Sequence, residues 1–268
     1  MGIAPNGRKG LVFAFCAAMI LAVPTPVRLH GQEADSGDPP VRIAIWDYEP
    51  FTGRTLPDFG LFTRRVVEVL EEAGIEHRIE FYPWLRIEKM MEDGEIWASF
   101  PYVPTPKRME TFDFVPIPGA WTVNYVFYAR ERDGASLPGD WDSLAGYRFG
   151  IVPGYWYVES LEDLGAELLV VPEEKDLPAL LKAGRIDFAI MDANVVEWIC
   201  RRDPRVSVSD FAVHGDARST DLSEMAVSRT YPGTGRLVAR FTEAGARMDL
   251  GNADMRGNHP WSDVDAQE

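Results

Sequence analysis

The stretch that decides the fold is Ala98–Phe114, ASFPYVPTPKRMETFDF. It opens as a short apolar run suited to a buried strand. It then turns through Pro104 and Pro106 into a basic pair, Lys107 and Arg108, and leaves on Phe112, Asp113 and Phe114. A turn directly after an apolar strand is where an α/β protein places a ligand. A short helix opening there presents unpaired backbone N–H groups and the positive end of its dipole. Pro106 suits its first turn, where a missing N–H costs nothing. Arg108 adds a planar fork that can grip a carboxylate through two hydrogen bonds. On the residues alone the alternative is a surface arginine paired with Glu110 or Asp113. Lys107 is expected to face solvent.

Outward from this stretch the chain alternates strand and helix signals. VRIAIW (Val41–Trp46) is a β-rich run, and LFTRRVVEVLEEAG (Leu61–Gly74) carries Leu61, Phe62, Val66, Val69 and Leu70 at helical spacing before a glycine stop. HRIEFYP is a second strand, WLRIEKMMEDGE a second helix and IWASFPY a third strand. That order builds a parallel sheet with crossover helices. After the long strand TVNYVFYAR the pattern recurs: YRFGIVPG, WYVESLEDLG, ELLVVP, DLPALLKAGR, IDFAIMD and ANVVEWICRR read as strand, helix, strand, helix, strand and helix. EMAVSRT is a further strand. GTGRLVARFTEAGARM is a closing helix with Leu237, Val238, Phe241, Ala244 and Met248 on one face. Two α/β halves of this kind leave a crevice between them, and ligands favour such crevices.

Composition bounds the setting. The chain has 268 residues, 46% hydrophobic and 12% aromatic, which is a globular balance. Arg8 and Lys9 precede LVFAFCAAMILAV (Leu11–Val23), an apolar run of signal-peptide length and short for a membrane span of about 20 residues. Cleavage is expected between 30 and 36; the alternative is an uncleaved anchor. The formal net charge is −15, and removing residues 1–32 takes away Arg8, Lys9, Arg28 and no acidic residue, leaving −18. So acidic a surface repels nucleic acid and anionic lipid. Cys200 alone remains after cleavage, which excludes an internal disulfide. The four histidines are scattered, and the chain has no H-E-x-x-H, G-x-S-x-G, C-x-x-C or glycine-rich phosphate loop. No catalytic set, metal site or cofactor is therefore expected.

Six pieces in order give a resemblance: the signal segment, YEPF after the first strand, PWLRIEKMMEDGE, TPKRMETFDF, SLAGYRFGIVPG and LLKAGRIDFAIMD. Over Val41–Met248 the chain resembles a divergent type II periplasmic solute-binding protein of the polar amino-acid group, family 3, the soluble receptors of ABC importers. The resemblance implies an α/β fold of two lobes, each a mainly parallel sheet flanked by helices. It places two hinge strands near Trp121–Tyr125 and Val227–Thr230. The expected division is a signal peptide at 1–32, a linker at 33–40, lobe one at 41–123, lobe two at 124–228, a return to lobe one at 229–250 and a tail at 251–268. It also implies a periplasmic, monomeric protein that closes over a small solute for an inner-membrane permease.

By the same resemblance Thr105 and Arg108 hold a ligand α-carboxylate, and Asp192, ending IDFAIMD, pairs with its ammonium. On its own Asp192 is also a helix N-cap, and a cap leaves one oxygen over. Trp46, Tyr48, Phe51, Trp84, Tyr102, Tyr155 and Trp156 follow strand ends and form either cleft walls or core. Trp97, the Pro101–Val103 pair, and Tyr155–Trp156 stand where the family carries polar groups. A carboxylate solute larger or more apolar than the standard polar amino acids follows. The alternatives are a dehydratase of the prephenate or arogenate type, with Asp47 or Glu49 as general acid, and a ligand sensor.

Overall fold

The computed structural model describes residues 39–132 and 140–248. The signal segment and the tail expected at 251–268 lie outside them. Among the described residues no helix is long and apolar enough to cross a membrane.

The first half runs β1 (Val41–Ile45), α1 (Leu61–Glu72), β2 (His77–Phe81), α2 (Trp84–Glu92) and β3 (Ala98–Tyr102), with the short helix α3 (Pro106–Thr111) behind it. β4 (Phe112–Ala129) crosses to the second half, which runs β5 (Arg148–Ile151), α4 (Val158–Leu164), β6 (Glu167–Val170), α5 (Leu177–Lys182), β7 (Phe188–Asp192) and α6 (Ala193–Cys200). β8 (Phe211–Ser228) crosses back, and α7 (Thr234–Arg247) ends the described chain. The sheet order is β2-β1-β3-β8-β4-β7-β5-β6. β1 is parallel to β2 and β3, and β5 is parallel to β6 and β7. The antiparallel pair β4 and β8 is shared, so each half counts five strands and both halves have the same arrangement around that pair. This is a two-lobed α/β fold.

The helices form where the apolar spacing put them. α1 buries Phe62, Val66, Val69 and Leu70 against the sheet, and α7 buries Leu237, Phe241 and Ala244. α7 also returns to the first half, where Arg240 donates to the carbonyls of Ala73 and Gly74. Gly74 ends α1 at φ +63°, a left-handed conformation that costs a side-chain-bearing residue about 1–2 kcal/mol.

Both crossing strands exceed their expected lengths. β4 begins at Phe112 rather than Thr122, because Pro116, Pro118 and Gly119 sit in an irregularity between Pro116 and Trp121 and do not end the strand. β8 takes in all of Phe211–Ser228, although only its last residues carry an apolar strand pattern. The second hinge is displaced from Val227–Thr230. Val227 pairs with Ala98 and Asp113, well inside the first half, while the residues opposite Trp121–Tyr125 are Leu222 to Arg218. Trp97 is also relocated: it is fully buried, 6.4 Å from Phe241 of α7, and belongs to the core.

Candidate ligand-binding cleft

The carboxyl ends of the parallel strands of both halves meet over β4 and β8. β1 leads into Trp46 and Tyr48, β2 into Trp84, and β3 into Tyr102, Thr105 and Arg108. From the other half β5 leads into Tyr155, Trp156 and Tyr157, and β6 into Glu174. All of these except Thr105 line a narrow cavity of about 50 Å³ whose floor includes Thr122 and Asn124 of β4 and Ser223 of β8. A larger groove of about 670 Å³ adjoins it, sharing Trp46, Tyr48, Trp84, Tyr155 and Glu174 and adding Asp47, Glu49, Arg54, Glu173 and Lys175 at its rim.

The narrow cavity is small because its own rings fill it. Trp46 and Trp84 stand 4.3 Å apart edge to face, and Trp84 and Tyr102 are 4.6 Å apart. Tyr155 reaches across from the second half to within 6.5 Å of Tyr48 and 6.3 Å of Trp84. The halves also touch through polar groups. Arg108 Nη2 donates to the Gly154 carbonyl at 2.7 Å, and Lys107 pairs with Glu159 of α4 at 3.2 Å. The cleft is therefore closed on itself. Lys107 faces solvent as expected.

Arg108 is nearly buried, with an 11% exposed side chain, and it lines the cavity. Its Nη1 donates to the Val103 carbonyl at 2.8 Å, its Nε lies 3.6 Å from Glu88, and its guanidinium stacks 5.1 Å from Trp84 and 5.0 Å from Tyr102. It pairs with neither Glu110 nor Asp113; Asp113 is bound by Arg229. Burial pulls the Arg108 pKa down, partly offset by Tyr102 and Glu88. Thr105 caps α3, its hydroxyl accepting from the Arg108 N–H at 3.2 Å, so it sets the turn that carries the arginine.

Two expected site residues are placed elsewhere. Phe51 is fully buried and stacked on Phe62 at 4.4 Å, so it is core. Asp192 caps α6 through Oδ1, which accepts from Asn194 N at 2.7 Å and Val195 N at 3.3 Å. Its second oxygen is not left over, because Oδ2 accepts from Val123 N of β4 at 2.7 Å. Asp192 is fully buried and ties β4 to α6; desolvation pushes its carboxyl up to about 6, against three backbone donors that lower it. Trp46, Tyr48, Trp84, Tyr102, Tyr155 and Trp156 all line the cavity. At the rim, Asp47 is held by Arg54 at 2.8 Å, and partial burial raises Glu49.

Sequence reasoning missed Glu174. It is buried in the cavity wall, and its Oε2 accepts from the Tyr155 hydroxyl at 3.1 Å. Desolvation pushes its carboxyl up to about 8, so it holds its proton at neutral pH. The signal was present: Glu174 follows β6 as Trp84 follows β2, at a strand end that faces the cleft. Among the described residues no group of three or more His, Cys, Asp or Glu could hold a metal ion.

A scan against protein-family models and a search of curated proteins each returned no match. Solved structures do match. A histidine kinase sensor domain with similarity to periplasmic binding proteins superposes with a TM-score of 0.66 at 20% identity, over 78% of this chain and 89% of that one. The chain has the fold of the type II periplasmic binding proteins. The arginine-, lysine-, histidine-binding protein ArtJ from Geobacillus stearothermophilus gives 0.62 at 16% identity, over 77% and 88%. The ancestral amino acid-binding protein AncCDT-1, a precursor of cyclohexadienyl dehydratase, gives 0.61 at 15%, over 78% and 88%.

Gly154 stands at the contact between the two halves, its carbonyl accepting from Arg108. It stands at φ +82°, and a Cβ there would lie 2.6 Å from Trp84 Nε1. Gly154→Ala is expected to lower stability by about 1–2 kcal/mol and to open the cleft. A lower melting temperature together with a larger radius of gyration in small-angle scattering checks both effects; an unchanged radius would remove Gly154 from the closing contact.

Proposed function

We propose that the protein captures a small carboxylate-bearing solute between its two halves, with Arg108 on the carboxylate and the aromatic rings as walls. The observation that carries this reading is a nearly buried arginine inside an aromatic cavity, hinged between halves of an otherwise acidic protein. Arg108 now spends two donors on backbone carbonyls, one of them in the opposite half. Opening releases the Gly154 contact, and an incoming carboxylate takes its place while the remaining N–H groups stay available. Closure then shifts the population toward the closed form by the energy of those contacts. The apolar lining favours a solute larger or more apolar than glutamate or serine. In this reading the protein is an exported, periplasmic, monomeric, non-enzymatic receptor that delivers its solute to an ABC-type permease. The first lobe comprises 41–123, the end of β8 from Glu224 to Ser228, which pairs with β3, and 229–250; the second runs from 124 into the earlier part of β8. A sensor role shares the capture step and differs in its partner, a membrane kinase.

Mass spectrometry of solutes released on denaturing the purified protein, followed by a thermal-shift screen, tests this reading. Arg108→Ala should weaken a true ligand by about a hundredfold, the scale of losing a buried charged hydrogen-bonded pair. Equal binding by the variant overturns the anion assignment, and tight uptake of glutamate or serine overturns the size class.

One observation favours a second reading, an enzyme of the dehydratase type. Glu174 is a protonated carboxylic acid at neutral pH in an aromatic cavity, which suits a general acid better than Asp47, already bound to Arg54, or Glu49 on the rim. Product formation from prephenate or arogenate, abolished in Glu174→Gln, is the outcome that would support it.

A further inference from the structure

The cavity has two unlike ends. Arg108 occupies one, against Trp84 and Tyr102, with Glu88 as its carboxylate neighbour. Glu174 stands against Tyr155, whose ring is 6.5 Å from Tyr48, and Trp46 lines the same cavity 4.3 Å from Trp84. Both residues line the same cavity, yet Arg108 pairs with Glu88 and Glu174 accepts from Tyr155, so the two opposite groups are not spent on each other. A cavity positive at one end and acidic at the other matches a zwitterion. Building on the proposed capture of a carboxylate by Arg108, we infer that Glu174, and not Asp192, receives the cationic end of the solute, and that this end is an N-methylated ammonium of the betaine class.

The rings select the kind of cation. A bare ammonium carries three donors and must find three acceptors. At this end Glu174 already accepts one hydrogen bond, from Tyr155, and the walls are the rings of Trp46, Tyr48, Tyr155 and Tyr157, with polar atoms confined to the tyrosine hydroxyls and the floor residues Thr122, Asn124 and Ser223. An N-methylated ammonium has no donors, needs only aromatic faces and a counter-charge, and is bound by cages of this composition. At the opposite end of the same cavity two rings, Trp84 and Tyr102, already hold a delocalised cation, the guanidinium of Arg108. The rim adds to the pull: Asp47, Glu49 and Glu173 outnumber Arg54 and Lys175 along the adjoining groove.

Docking a cation beside Glu174 requires the carboxylate form, so the proton now on its carboxyl leaves to solvent as the solute enters. The groups that face Glu174 are Tyr155 and Tyr157 from the loop before α4, Tyr48 from the loop after β1, Asp192 at the start of α6 and, along the groove, Glu49 and Lys175. The tyrosines are raised well above 10 by burial and stay neutral. Asp192, at about 6, is mostly ionised at pH 7 and loses little more. Most of the released proton is therefore Glu174's.

Isothermal titration of the full chain with proline betaine, proline, choline and 3-phenylpropionate distinguishes the possibilities. The expected result is that proline betaine binds at least a hundredfold tighter than proline, and releases close to one proton per solute at pH 7 when buffers of different ionisation enthalpy are compared. In Glu174→Gln the affinity falls at least tenfold and the proton release disappears, while Asp192→Asn, if folded, retains the release. If 3-phenylpropionate binds through Arg108 and proline betaine does not, the inference is overturned and carboxylate capture stands. Betaine and choline binding that depends on Glu174 but not on Arg108 supports the inference and overturns the carboxylate reading. Betaine binding untouched by Glu174→Gln, or no binding by either class, overturns the inference.

Discussion

Asp192→Ala is expected to destabilise the protein by about 2–4 kcal/mol, read as a fall in the denaturant midpoint with an unchanged slope. Two losses add. The first is the N-cap of α6, since Oδ1 serves Asn194 N and Val195 N, and losing such a cap costs roughly 0.5–2 kcal/mol. The second is the Val123 N–H of β4, buried and served by Oδ2, which costs about 1–3 kcal/mol when left without an acceptor. Asp192→Asn keeps one acceptor oxygen and is expected to cost about half as much. The same pair of variants separates the two roles that an aspartate at this place can have. If Asp192 held a ligand ammonium with an oxygen to spare, alanine would abolish binding and move stability by less than about 1 kcal/mol. A large loss of stability in the solute-free protein identifies it as the tie between a crossing strand and a helix of the second half.

That distinction explains where the sequence was readable. Strand, helix and glycine stop recur with regular periods, so the βαβαβ order of each half and the stripes of α1 and α7 could be read directly. The crossing strands could not. Pro116, Pro118 and Gly119 are turn residues by every local rule, and only the bulge between Pro116 and Trp121 lets β4 run through them. β8 between Phe211 and Leu222 has no apolar alternation, because its pairing with β4 supplies what its side chains do not advertise. At the site, Arg108 was legible because Thr105 and Pro106 announce the turn. An aromatic residue after a strand carries no label for wall or core, and Phe51 and Tyr48, three residues apart, fell on opposite sides of that choice. Glu174 was masked by its neighbours: in Glu173-Glu174-Lys175 it reads as one of a solvated charge run, which outweighs its place after β6, yet the fold turns it inward while Glu173 pairs with Lys175 at the surface.

The stability of the protein is expected to fall as pH rises from 6 to 8, and Glu174→Gln is expected to remove most of that fall. The sign follows from proton binding. The Glu174 carboxyl sits at about 8 in the folded protein against an ordinary 4.5 in the unfolded chain, so between these values the folded state holds a proton that the unfolded state has released. Stability then decreases with rising pH across that window, by about 1.4 kcal/mol per pH unit at full difference, and levels off above 8. Asp192 has the same sign but a lower window, from 3.8 to about 6, so it contributes below pH 6 and little above. Between pH 6 and 8 the expected loss through Glu174 is about 2–3 kcal/mol, or roughly 5–10 °C in melting temperature for a chain of this size. Glutamine keeps an acceptor for the Tyr155 hydroxyl and carries no charge to bury, so the difference between variant and wild type should widen steadily over this range. Subtracting the two curves also cancels Glu49, Glu88 and Glu224, which burial raises as well. Parallel curves would mean that Glu174 is already ionised and solvated in the cleft. A saturating cationic solute should flatten the wild-type curve as the substitution does, because it places a counter-charge beside Glu174.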